Sequence, residues 1–167
     1  EGISDFYSSN YDVYSDWDFE NVWVALPNGL PLFYWQVELV DQCMELTKPD
    51  SYYKLNGDLN WNSGTCININ ADNVVFDCGV YRMDGNHISD ALIGVYSNSP
   101  YSTIKNCQIT TSKEAGSRSI KLDSGADYAY LLNNGGGYSG TGLYMEGVEN
   151  AVIDNLGASV GVNRGIH

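Results

Sequence analysis

Positive charge is scarce in this sequence: 8 Lys and Arg stand against 21 Asp and Glu in 167 residues, a formal net charge of −13. Phosphate backbones and anionic lipid surfaces are gripped by clustered Lys and Arg, so no nucleic-acid partner is expected. Long apolar runs are missing as well. None approaches the roughly 18 residues that a membrane span needs, so no span is expected. Histidine is confined to His87, in a Gly85-Asn86-His87 turn, and His167. The four cysteines form neither a CxxC pair nor a Cys/His cluster, which removes zinc-type ligand spacing. There is no Gly-x-Ser-x-Gly elbow, Gly135-Gly136-Gly137 is a lone glycine run, and Asn98-Ser99 is followed by Pro100, so no N-glycosylation sequon exists.

Four cysteines allow three pairings, and pairing without metal-site spacing points to an oxidising, extracellular compartment. Thirteen Tyr and eighteen Gly suit an extracellular β protein. The chain opens at Glu1 with no basic-then-apolar leader and reads as a mature form. Its length suits one core, divided here into an N-terminal β-rich arm or cap over 1–42 and a repetitive body over 43–167.

Repetition is the strongest signal. Val75-Phe76-Asp77-Cys78, Ile104-Lys105-Asn106-Cys107, Tyr130-Leu131-Leu132-Asn133 and Val152-Ile153-Asp154-Asn155 align at steps of 29, 26 and 22 residues. A second series runs Ile67-Asn68-Ile69, Ile93-Gly94-Val95, Ile120-Lys121-Leu122 and Leu143-Tyr144-Met145. Units this small bury nothing alone and must stack. The fold expected is all-β: a right-handed parallel β-helix, or solenoid, of about four to five coils. Like residues then lie above like, about 4.8 Å apart. One inward ladder is expected through Ile69, Val95, Leu122 and Met145, and another through Val75, Ile104, Tyr130 and Val152. Cys78, Cys107, Asn133 and Asn155 would mark a corner where stacked amides hydrogen-bond. Thr111 to Ser117 and Gly135 to Gly140 would be inserts between strands. The coil spacing also permits a Cys78–Cys107 disulfide, the alternative being a ladder of free thiols.

Before the repeats, Asp16-Trp17-Asp18-Phe19-Glu20 alternates acid with aromatic as an edge strand does. Asp12, Asp16, Asp18 and Glu20 invite a calcium reading but lack the glycine turn and terminal Glu of a calcium loop, so no cofactor is expected. Val22 to Leu26 and Leu32 to Val40 flank Asn28-Gly29 and predict a hairpin. Asp41 to Leu46 reads as a short helical turn.

From Cys43 onward, Pro49 to Leu55, Gly57-Asp58-Leu59, Cys66 to Val74 and Ile104 to Cys107 resemble the right-handed parallel β-helix repeats of archaeal and bacterial surface proteins. That group includes the periplasmic NosD-like proteins and, more distantly, pectate-lyase-like enzymes. The resemblance implies the same fold over about residues 43 to 167 and a second disulfide, Cys43–Cys66. It is nearly silent on activity, and the paired-Asp and Gly-His-Gly motifs of β-helix polygalacturonases are absent.

Catalysis on such a scaffold needs acids and a base converging on one face. The nearest set is Asp77, Asp123, Asp127 and Asp154 with Lys105, Lys121, Arg118 or Arg164. Lys121 and Asp123 could share a strand face, and Lys105 could approach Asp154 across coils. These read more simply as a solvated β face, so no catalytic residue is assigned and the chain is expected not to be an enzyme. Gly161 to His167 reads as the opening strand of another coil, so either the sequence is a piece of a longer array or another molecule is expected to cover the last coil. Identical subunits joined head to tail are therefore the expected partners, with Trp17, Phe19, Trp23, Phe33, Trp35, Val162 and Ile166 as assembly residues. The rival reading is a carbohydrate-binding or carbohydrate-cleaving β-helix with exposed aromatics as a sugar platform.

Overall fold

A computed structural model describes residues 16–19, 22–24, 31–86, 90–136 and 141–158. Its first pairing is antiparallel, between β1 (Trp23–Val24) and β2 (Leu32–Phe33), as a hairpin requires. A 3-10 turn over Tyr34–Gln36 follows. Among the described residues every later strand belongs to one of three parallel sheets, visited in a fixed cycle from Met44 onward. The first sheet holds β4 (Met44–Leu46), β7 (Thr65–Ile69), β10 (Ile93–Ser97), β13 (Arg118–Leu122) and β16 (Thr141–Met145). The second holds β3 (Glu38–Val40), β5 (Tyr52–Leu55), β8 (Val75–Asp77), β11 (Thr103–Lys105), β14 (Tyr130–Leu132) and β17 (Val152–Asp154). The third holds β6 (Leu59–Trp61), β9 (Arg82–Gly85), β12 (Gln108–Thr110), β15 (Gly135–Gly136) and β18 (Gly157–Ala158). The described residues form a parallel β-solenoid five rungs deep, β4–β6 making the first rung and β16–β18 the fifth.

Short strands are joined by corners that need left-handed backbone. Asp50, Asn73, Tyr101, Tyr128 and Asn150 adopt positive φ between the first and second sheets, and Asn106, Asn133 and Asn155 do so between the second and third. Asn and Asp tolerate that region because their short side chains hydrogen-bond locally. The second corner is an amide ladder: Asn133 Nδ2 donates to Asn106 Oδ1 at 3.4 Å and Asn155 Nδ2 to Asn133 Oδ1 at 2.9 Å. Tyr101 and Tyr128 have no such excuse. Their rings stack instead, with centroids 5.1 Å apart.

Inside, like residues lie over like. One column is Met44, Ile67, Val95, Ile120 and Leu143, a second Leu46, Ile69, Ser97, Leu122 and Met145, and a third Tyr53, Phe76, Ile104, Leu131 and Ile153. Burial of each such aliphatic side chain stabilises by about 1.5–3 kcal/mol, and the interior is closely filled. A Cβ on Gly94 would lie 2.4 Å from Ile109 Cγ2 and 2.6 Å from the Ser119 carbonyl oxygen, so only glycine fits there. Both disulfides join neighbouring rungs: Cys43–Cys66 with Cα atoms 4.4 Å apart and Cys78–Cys107 at 4.9 Å.

Several expectations are corrected. Val95 does not sit over Ile69; Ser97 does, and Val95 moves two residues along, over Ile67. The inward position is open to a serine because Ser97 Oγ lies 2.8 Å from Ser102 Oγ and accepts from the Ser99 amide. Ile104 is inward, but Val75, Tyr130 and Val152 are not its ladder: they align with Thr103 on the outer face, and Ile104 aligns with Phe76 and Leu131. The second corner likewise runs through Asn106 rather than Cys107, because Asn106 takes the left-handed turn. Cys78 lies level with Asn106, so its disulfide reaches diagonally to Cys107. Parallel pairing starts at Glu38, ahead of the expected boundary at 43. Met44–Leu46 is a strand rather than a helical turn, held by Ile67–Ile69 and the adjacent disulfide. Asp16 to Phe19 form turns, with the Phe19 amide bonded to the Trp17 carbonyl, and Gly135–Gly136 is a strand within the supposed insert.

Candidate functional site

The outer face of the second sheet carries the column Tyr52, Val75, Thr103, Tyr130 and Val152, one residue from each rung. Alternation along a strand sends these side chains outward while Tyr53, Phe76 and Ile104 point in. The column begins covered: Val24, Leu32 and Val37 of the N-terminal segment pack on Tyr52 and Val75, which keep 5% and 1% of their surface. It ends open. Tyr130 and Val152 are 39% and 41% exposed.

Beside the covered end lies Asp77. Its carboxylate accepts the Tyr52 hydroxyl at 2.5 Å, Asn106 Nδ2 at 2.9 Å and the Gly79 amide at 2.8 Å, with Lys105 Nζ at 3.5 Å. That ammonium also lies 4.9 Å above the Tyr52 ring. Burial pushes the Asp77 carboxyl up; the Tyr52 and Asn106 hydrogen bonds, the Lys105 charge and the Gly79 amide together outweigh it and hold the pKa below the ordinary value. A carboxylate so fully occupied by internal partners is built to fix Tyr52 rather than to exchange protons. Tyr52 and Asn106 were not anticipated as members of this cluster. The signal for Asn106 was its match to Asn133 and Asn155 at the turn.

The arm that covers this face is aromatic. Phe19, Trp17, Trp23, Phe33 and Trp35 stack in that order, with successive centroids 6.4, 4.2, 4.0 and 4.0 Å apart. Three of the contacts are stacked and the Trp17–Trp23 pair is tilted by 36°; aromatic pairs in favourable arrangements add about 0.5–1.5 kcal/mol each beyond area burial. The stack brings together all five N-terminal residues expected to mediate assembly, and Trp35 at its end is 73% exposed. Val162 and Ile166 lie outside the described residues, as do Arg164, His87, His167, Asp12 and Glu20.

The outer face of the first sheet carries Glu45, Asn68, Tyr96, Lys121 and Tyr144 in register. Lys121 pairs with Asp123 at 2.7 Å, as the two-residue spacing suggested, and lies 5.3 Å over the Tyr96 ring. The Asp123 hydrogen bond, opposed by burial, raises the Lys121 pKa. Burial and then Asp123 raise that of Tyr96. Arg118 lies 4.9 Å over the Tyr144 ring, and the Tyr144 hydroxyl donates to Glu146 at 3.0 Å.

The four acids singled out from sequence do not converge. Asp77 is on the second sheet, Asp123 beside the first, and Asp127 accepts the Glu149 amide at a corner. Lys105 does not meet Asp154, because Leu132 occupies the rung between them; its partner is Asp77. Among the described residues no group of three or more His, Cys, Asp or Glu could hold a metal ion, and no helix is long and apolar enough to cross a membrane. No protein-family model, curated protein or solved structure matches the chain.

Proposed function

We propose that this chain is a structural module of the cell exterior, a disulfide-stitched β-solenoid that joins copies of itself into a filament, appendage or surface layer. The observation that carries this reading is Met44. It occupies an inward column whose next members, Ile67 and Val95, are fully buried, yet Met44 itself is 37% exposed. An inward side chain left in water favours a cover, and a second solenoid is the body whose strand spacing matches the open rung. Two disulfides between rungs agree with an oxidising compartment. Lys105 and Lys121 on the two outer faces are each engaged by a carboxylate of the same chain, Asp77 and Asp123, which suits a scaffold better than a catalyst. Size-exclusion chromatography with light scattering tests it: the intact chain should elute as species larger than 18.4 kDa that grow with concentration, and a constant monomer mass would refute it.

A carbohydrate ligand is the second reading, favoured by Tyr96 and Tyr144. They stand two rungs apart, roughly 10 Å, half-buried on the outer face of the first sheet, with Lys121, Asp123, Arg118 and Glu146 between and beside them. Titration calorimetry with soluble glycans tests it. Binding lost in Tyr96→Ala would support this reading, and no heat from any glycan would remove it.

A further inference from the structure

The covered end of the second sheet's outer column has a near copy at its open end. On the first and second rungs the sequence places Tyr52, then Val75, with Asp77 two residues beyond the valine. On the fourth and fifth it places Tyr130, then Val152, with Asp154 two residues beyond that valine. The register is the same in both: Tyr52 lies opposite Val75 and Tyr130 opposite Val152. The only rung between the pairs presents Thr103. What differs is the cover. Val24, Leu32 and Val37 lie on Tyr52 and Val75, whereas Tyr130 and Val152 remain open to water.

We propose that Tyr130 and Val152 form a second docking site for the N-terminal arm, filled by Val24 and Leu32 of the hairpin of a second copy of this chain. The occupant is identified by the first site: the same tyrosine and valine step, in the same sheet and on the same face, already holds those two aliphatic side chains, whereas Val37 adjoins β3 and stays with its own sheet. Moving an arm from its own rungs to a neighbour's exchanges one apolar contact for a near copy of it. Such an exchange is nearly neutral in free energy and is a low-cost route to joining chains. The uncovered inner rung of Met44 then supplies the bias toward assembly. Each chain carries one arm and two sites, so the contact joins unlike surfaces, and it propagates wherever the exchange is not reciprocal. This inference rests on the assembly reading above and names the surface that serves it.

Sedimentation velocity of the intact chain across a concentration series provides the test, comparing the parent with Tyr130→Ser/Val152→Ser and with Val80→Ser, an exposed valine outside the column. These changes leave the net charge alone. The double variant should self-associate at least about tenfold more weakly, as expected when a buried aromatic anchor is removed, while Val80→Ser matches the parent. A double variant that associates as tightly as the parent, or a Val80→Ser variant weakened equally, would overturn the site while leaving assembly standing. A parent that stays monomeric throughout would overturn assembly itself, and the site with it. Should the double variant melt early, Tyr130→Ser alone makes the same comparison.

Discussion

Asn155 donates its side-chain amide to Asn133 one rung below at 2.9 Å, and both residues sit in left-handed backbone at the same corner. The pair joins turn chemistry to rung stacking in a single residue type. Asn133→Ala should lose its side-chain hydrogen bonds and also strain the turn, lowering stability by about 1–2 kcal/mol. Asn133→Gly keeps the turn and should cost less. Urea unfolding of the two variants checks the order; equal losses would mean that the backbone conformation contributes nothing.

Asp77 predicts an acid limb in the stability curve. Its folded pKa is depressed, so its contribution is complete above the unfolded value of about 3.9 and is lost as pH falls through the lower folded value. Asp77→Asn should remove that limb and cost about 1–3 kcal/mol at neutral pH, since Tyr52 and Lys105 lose a charged partner. Melting temperature against pH, for both proteins, is the measurement.

How much of this was legible in sequence differs from column to column. The solenoid and its period were readable because short apolar strands recur with polar corners. The exact register was not, since an alignment that stacks apolar on apolar slides past Ser97, a serine kept in the core by Ser102 and Ser99. The second sheet was harder. Tyr52, Val75, Tyr130 and Val152 are apolar although they face outward, so the period-2 signal that separates the faces is blurred there. Aligning Cys107 with Asn133, instead of Asn106 with Asn133, then shifted one strand by a residue.

Gly94 offers a packing test. Gly94→Ala drives a methyl group into Ile109 and the Ser119 carbonyl, and overpacking of this kind costs about 1–3 kcal/mol. Thermal unfolding should show the drop, and an unchanged midpoint would contradict the close approach inside the third rung.

The disulfides should matter to stability more than to shape. They close loops with sequence separations of 23 and 29, each worth about 3–4 kcal/mol by chain entropy. Replacing Cys78 and Cys107 together by Ser should lower the urea midpoint strongly while the β-rich circular dichroism spectrum persists in buffer.

Electron microscopy of the intact, oxidised chain tests self-assembly most directly. Particles one solenoid wide that lengthen with concentration, by steps of about 24 Å for each five-rung unit, are the predicted result. Isolated particles of a single unit at every concentration would contradict it.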